Sequence, residues 1–525
     1  MITPSFGPDA LVELVNGVFA DSSGSTRLEN AITQLKQSAT HKMVIHFHGG
    51  LVDSKAAHEM AAGLYPTYQQ AGAVPLFFVW HTGLLDIVKQ KLIGIGEQTL
   101  FKHLVRQVAR FAMAKLPATT ERTRGGALKL ISTKYLPTDA EQLAVKLDEF
   151  EAKSGIQNDV TRSLQGNNPQ KDLSANDEAT FKKELQEDVK LRREVEALVA
   201  SKTLTNPVRA QALGASESVL SLNDSIRAEM QVAEPDEEER ARDRGVMGEG
   251  ALLVVVEHAL LVLRRVLARY QAGRHHGLHA TIVEEVLAGF YVDKLGGHFW
   301  DEMKKLPAAA FAENGGGQTL LAGLKTLWEQ PASPPPCIML VGHSAGSIYI
   351  GTFLEAADKV LPPSAQFDVV LLAPAATFDF WHSHSDIINR RVRRLRLFAL
   401  SDEVERGYWE VPLVYRGSLL YLVASLFERK EGLPFDPATA DVPILGMARY
   451  HSAISPYDTV ALSAVLAQLK GFGESIWVRG LESGKLLPTG IAGAWSEAQR
   501  HGDFDDDPRT RESLAHLITS EWPCV

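Results

Sequence analysis

Cysteine is nearly absent: the 525 residues contain two, Cys337 and Cys524. Two cysteines exclude a disulfide-built scaffold and a cysteine-rich zinc site, and they fit a reducing, cytoplasmic setting. An excess of positive charge is missing as well. Lys and Arg number 54 against 64 Asp and Glu, a net charge of -10, which removes the basic face that nucleic acid or an anionic membrane would need. The first twenty residues have no basic run ahead of an apolar core and carry Pro4, Pro8, Asp9 and Glu13, so they do not read as a secretory signal. The most lipid-like stretch, Gly250 to Tyr270, is interrupted by Glu257, His258, Arg264 and Arg265. Four ionisable groups at mid-span are costly in hydrocarbon, so a helix packed inside protein is expected, with an interfacial membrane helix as the alternative.

What is present is an ordinary globular composition, 45% hydrophobic and 22% charged, in a chain long enough for a large core carrying an insertion. Its start alternates as α/β proteins do. Val12 to Phe19 reads as a strand, Ser25 to Gln37 as a helix, Met43 to Phe47 as a buried strand ending at His48-Gly49-Gly50, Ala56 to Ala71 as a helix and Pro75 to Trp80 as the next strand. Strand, glycine turn, helix, strand is the parallel-sheet rhythm. From 86 to 284 the pattern turns to charge-rich helical sequence, with a solvated charge block at Glu234 to Arg244. Strands return at Cys337 to Val341, Phe367 to Ala373 and Arg394 to Leu400, and a last helix runs from Pro508 to about Ser520. The expected fold is therefore α/β. A mostly parallel sheet flanked by helices occupies 1–85 and 285–525, with a helical insertion at 86–284 and a small cap segment at 403–450.

The sharpest chemical signal is Gly342-His343-Ser344-Ala345-Gly346, placed between an apolar strand and an amphipathic helix. This is G-x-S-x-G in strand, turn, helix context: the serine sits on a strained turn, the glycines remove side chains that would clash, and the hydroxyl projects above the sheet. The motif resembles the nucleophile elbow of the α/β-hydrolase superfamily, which includes lipases, esterases, thioesterases and some peptidases. The resemblance covers Met43 to Trp80 and Cys337 to the C-terminus. It implies Ser344 as nucleophile, with the Ala345 amide as one oxyanion donor. A second donor is implied from an H-G-G loop, here His48-Gly49-Gly50-Leu51, supplied by Gly50 or Leu51 with Gly49 permitting close approach.

A serine is a weak nucleophile without a histidine base and an orienting acid. The resemblance implies an acid and then a histidine downstream of Ser344. Asp402, directly after the strand ending at Leu400, is the expected acid, with Glu403, Glu405 and Asp379 as substitutes. His501, in the loop before the last helix, is the expected base, with His451 as the alternative. Capping and the helix dipole account for Asp503, Asp505, Asp506 and Asp507. His46-x-His48 and the H-x-H-x-D of His382, His384 and Asp386 have metal-ligand spacing, but an oxyanion loop and a missing following histidine argue against it, and neither metal nor cofactor is expected. The basic run Arg390 to Arg396 is read as structural, and Tyr408 to Phe427 as an acyl-pocket lining or plain core. The function expected is carboxylic ester hydrolysis on a small-molecule or acyl substrate. The alternatives are a peptidase or thioesterase on the same triad, or an insertion that docks a protein partner or a membrane surface.

Overall fold

The computed structural model describes residues 7–50, 54–80, 84–116, 136–154, 173–200, 222–233, 248–295, 297–329, 335–430, 435–451, 456–473, 476–479, 481–482, 485–486 and 491–523. Leu51 and the charge block at 234–244 lie outside them. The central sheet has eight strands: β1 Leu11–Val15, β2 Val18–Phe19, β3 Lys42–Phe47, β4 Val74–Trp80, β5 Cys337–His343, β6 Phe367–Leu372, β7 Val392–Leu400 and β8 Ile476–Arg479. Their order across the sheet is β8-β7-β6-β5-β3-β4-β1-β2. Every neighbouring pair is parallel except the β1–β2 hairpin. That hairpin divides the expected strand Val12 to Phe19, because Asn16 and Gly17 both take positive φ, 49° and 84°, and turn the chain back.

Strands β3, β4, β5 and β6 are almost wholly buried, as strands covered on both faces must be, and this is why their sequences are continuous apolar runs. The chain moves from β3 to β4 in one direction across the sheet and from β5 through β8 in the other. The reversal lies between β3 and β5, at whose carboxyl ends an open α/β sheet forms its crevice.

Between β4 and β5 the described residues form helices and no strands. The helical region extends past the expected boundary at 284, since Gly316–Glu329 is also helical and packs on the sheet's outer helix Gly24–Gln37. Helix Glu249–Gln271 runs through the middle of the insertion with twelve of its residues buried. The charges that interrupt it are paired: Glu257 with Lys182 at 2.5 Å, His258 with Glu229 at 2.9 Å and Arg264 with Glu178 at 2.6 Å. Among the described residues no helix is long and apolar enough to cross a membrane.

A buried ionic cluster joins the insertion to the 403–450 segment. Arg269, with no exposed surface, bonds Glu284 at 2.7 Å and Glu285 at 3.1 Å, both equally buried. Arg429 reaches Glu285 at 3.0 Å, the Tyr415 hydroxyl donates to Glu284 at 2.6 Å, and Arg274 pairs with Asp441 at 2.9 Å. Leu419, Leu420, Tyr421 and Leu422 are buried beside it, so this aromatic and leucine-rich stretch packs as core.

One compositional expectation changes. Cys337, at the start of β5, is disulfide-bonded, and Cys524 lies outside the described residues. A bridged cysteine withdraws the support that two free thiols gave to a reducing compartment.

Arg269→Met should cost about 3–5 kcal/mol in urea unfolding, because it leaves the buried Glu284 without its arginine. Adding Glu284→Gln, which leaves Glu285 paired with Arg429, should recover part of that loss.

Candidate active site

Ser344 stands at the end of β5 with φ 53°, in the left-handed region that costs an L-residue about 1–2 kcal/mol. The surroundings enforce this conformation. The Ser344 amide donates to Leu372 O at 2.9 Å, and its carbonyl accepts from the Ala375 amide at 2.9 Å and the Ser347 hydroxyl at 2.7 Å. A Cβ on Gly346 would fall inside contact distance of the Phe47 carbonyl oxygen, and one on Gly342 would meet Ile350 Cδ1 at 2.7 Å. Both glycines of the motif are therefore required by close approach of backbone to backbone and side chain.

The His48-Gly49-Gly50 loop lies against the same turn, since a Cβ on Gly50 would stand 2.8 Å from the Ala345 Cβ. The His48 ring shapes this loop. Its Nδ1 lies 2.6 Å from Gly49 O, and its Nε2 accepts the Trp80 amide at 3.0 Å, which fixes a neutral Nδ1–H tautomer; burial pushes its pKa down to about 4. Ala345 caps the helix Gly346–Val360, so its amide, like those of any first turn, has no acceptor within the helix. The sequence-predicted donors Ala345, Gly49 and Gly50 are thus together; Leu51 lies outside the described residues.

His501 Nε2 is 2.9 Å from Ser344 Oγ, and both residues are buried, at 5% and 4% exposure. Burial, with the nearby charges of His343 and Lys89, holds the His501 pKa well below its usual value, so the ring is neutral and able to accept a proton. His451, the alternative base, is elsewhere: its Nε2 lies 2.8 Å from Leu445 O and its ring packs edge-on to Phe378.

The expected acid is not at His501. Asp402 follows β7 as anticipated, but it accepts from the Tyr421 hydroxyl and pairs with Arg449 at 3.4 Å and Arg406 at 3.5 Å. Burial opposes ionisation, yet Arg449 and Arg406 hold its carboxyl at about 2. Among the described residues His501 Nδ1 has no hydrogen-bond partner. Of the substitutes, Asp379 is exposed beside Lys430, whereas Glu405 is 1% exposed with an unpartnered Oε1. Burial and the Asp402 charge push the Glu405 pKa well up. The Tyr408 hydroxyl accepts the His501 amide at 3.2 Å, and burial, with the Glu410 charge, pushes its pKa well up.

Two site residues escape sequence reasoning. Asp505, read there as part of a capping run, turns inward to His343 Nδ1 at 2.5 Å, and His343 Nε2 lies 2.8 Å from the His501 carbonyl. Capping does explain Asp507, which accepts from the Thr510 amide. His46 faces Tyr68 through Nδ1 at 2.9 Å and Asp505 through Nε2 at 3.5 Å. Its Nδ1 is thus spent on the protein, as is that of His384, which lies 2.8 Å from Phe380 O. The basic run is absorbed by Asp358, Asp368 and Glu521.

Ser344→Gly and Ser344→Ala lose the same hydroxyl, but only glycine relaxes the positive φ. Denaturant unfolding should therefore find the glycine variant more stable than the alanine variant by about 1 kcal/mol.

No family model, no curated protein and no solved structure matches this chain.

Proposed function

We propose that the chain is a serine hydrolase of the α/β-hydrolase kind that cleaves a carboxylic ester of an acyl substrate through an acyl-enzyme. The observation that carries this reading is the 2.9 Å approach of His501 Nε2 to Ser344 Oγ on a turn held at positive φ. Ser344 Oγ attacks the ester carbonyl carbon while its proton passes to His501 Nε2. The carbonyl oxygen becomes an oxyanion facing the Ala345 amide and the Gly49-Gly50 loop. Collapse of the intermediate expels the alcohol, which takes the proton from His501. Water then repeats the sequence on the acyl group, releasing a carboxylic acid and restoring Ser344. The residues present are sufficient for this chemistry, and the switch-point location between β3 and β5 supports it independently. The preference for esters over thioesters or amides rests on analogy with the superfamily.

Glu405 takes the role first assigned to Asp402. Its buried Oε1 makes no hydrogen bond among the described residues, and it shares the short helix Asp402–Arg406 with Asp402, which fits a group that meets His501 Nδ1 when substrate tightens the site. Asp402, already shared among Arg406, Arg449 and Tyr421, fits a structural role.

Fluorophosphonate labelling read by intact mass tests the reading. The wild type should gain one adduct, Ser344→Ala none, and His501→Ala should react at least about 1,000-fold more slowly, while His451→Ala keeps the wild-type rate. Glu405→Gln should slow labelling more than Asp402→Asn. Because the His501 pKa is lowered, the base stays neutral as pH falls through 6.5. The labelling rate should hold there and decline only in more acidic solution. A well-folded wild type that takes no adduct would overturn the proposal.

A further inference from the structure

His343, the variable residue inside the G-x-S-x-G turn, is buried at 4% exposure, and both of its ring nitrogens meet acceptors. Nδ1 lies 2.5 Å from a carboxylate oxygen of Asp505, and Nε2 lies 2.8 Å from the main-chain carbonyl of His501. Neither acceptor has a proton to give: one is a backbone carbonyl, and the other is a carboxylate. A neutral imidazole carries one N–H and can satisfy only one of them; an imidazolium satisfies both. The base, meanwhile, is unusual in what holds it. Its Nδ1 has no hydrogen-bond partner among the described residues, so none of their acids fixes the ring. Its main chain is fixed on both sides instead, with the amide donating to Tyr408 Oη at 3.2 Å and the carbonyl accepting from His343.

We propose that His343, as an imidazolium paired with Asp505, is the positioning residue that holds the His501 loop on Ser344 through the loop's own backbone. This deepens the hydrolase reading and rests on Ser344 and His501 being its reacting pair. The arrangement couples the nucleophile turn directly to the base, because His343 and Ser344 are adjacent in β5 and its turn. A displacement of the loop by about 1 Å is enough to cost roughly 100-fold in rate.

The electrostatics agree. Burial works against the charged ring, but the Asp505 carboxylate and the His501 carbonyl outweigh it, so the His343 pKa is raised above 6.5. Burial likewise opposes the charge on Asp505, and His343 holds that carboxyl at about 2. The other groups facing the pair are His46 and His48 from β3 and its loop, Asp506 and His501 from the loop before the last helix, and Tyr68 behind His46. Arg511 caps the Asp505 carbonyl at 2.7 Å. His46 and His48 are both pushed down to about 4 by burial, so neither competes for the positive charge near neutrality. The sign of the pH effect follows from the raised pKa. The clamp is complete below the unfolded value of about 6.5 and is released as pH rises through the folded value.

Two measurements test this. In protein labelled with 15N-histidine, one imidazole should keep protons on both nitrogens to higher pH than a free histidine does, and that signal should vanish in His343→Gln. In fluorophosphonate labelling, the wild type should lose rate in alkaline solution. His343→Phe, which donates nothing, should be slower at pH 6.5 by roughly 100-fold. His343→Gln, which keeps a donor, should fall between the two without the alkaline decline, and Asp505→Asn should move the decline to lower pH. Should His343→Phe fail to fold, His343→Gln and Asp505→Asn still decide the matter. A neutral His343 at pH 6.5, or wild-type labelling rates and an unchanged alkaline limb in His343→Gln and Asp505→Asn, would overturn the positioning role. A wild type that never labels while His343 is doubly protonated would overturn the hydrolase reading, and with it the role assigned to the pair.

Discussion

The contact on which the rest of the site depends is the approach of the Gly346 α-carbon to the Phe47 carbonyl at the end of β3. It is possible because β3 and β5 are hydrogen-bonded neighbours, in register from Lys42 opposite Cys337 to Phe47 opposite Gly342. That register brings both strands to their carboxyl ends at one level. The chain leaves β5 in a turn too tight for any side chain at 342 or 346, and the strain at Ser344 is the cost of aiming its hydroxyl out of the sheet. The same contact places the His48-Gly49-Gly50 loop against Ala345. Ser344 and the loop amides thus share one piece of backbone packing, and a shift of either strand would misplace both.

Around this rigid centre, charge has been taken out of water twice. Beneath Ser344, His343 and Asp505 tie the last loop of the chain to the nucleophile turn. Farther out, Arg269, Glu284, Glu285 and Arg429 tie the helical insertion to the segment that follows β7. Buried pairs of this sort contribute little net stability over apolar packing, but breaking one partner is costly, so they select one arrangement of elements over its neighbours. The insertion is thus docked through a fixed polar seam, which the Arg406 contacts to Glu151 and Asp402 extend toward β7.

Much of this was legible in the sequence. The buried strands announced themselves as continuous apolar runs, because a sheet covered on both faces has no polar side, and the G-x-S-x-G turn was fixed by local sterics that operate within five residues. Helix Glu249–Gln271 was rightly read as packed inside protein, since its charges at mid-span needed partners that lipid lacks. His501 was chosen over His451 from its place before a helix that Asp507 and Pro508 begin. Asp402, the expected acid, makes no contact with His501 among the described residues. Asp402 and Glu405 lie on the same short helix, and nothing local says which of them Arg406, Arg449 and Tyr421 will claim.

The sequence by itself determined the elements and the chemistry available at their ends: which runs become strands, where the chain must turn without side chains, and that a serine, an amide-rich loop and a histidine exist to be assembled. Only the tertiary structure decided the partners. His343 and Asp505 are separated by 162 positions and look in sequence like a filler residue and a helix cap. Their pairing arises from burial, which makes an unpaired charge so costly that each must find the other. The same cost assigns Asp402 to its arginines.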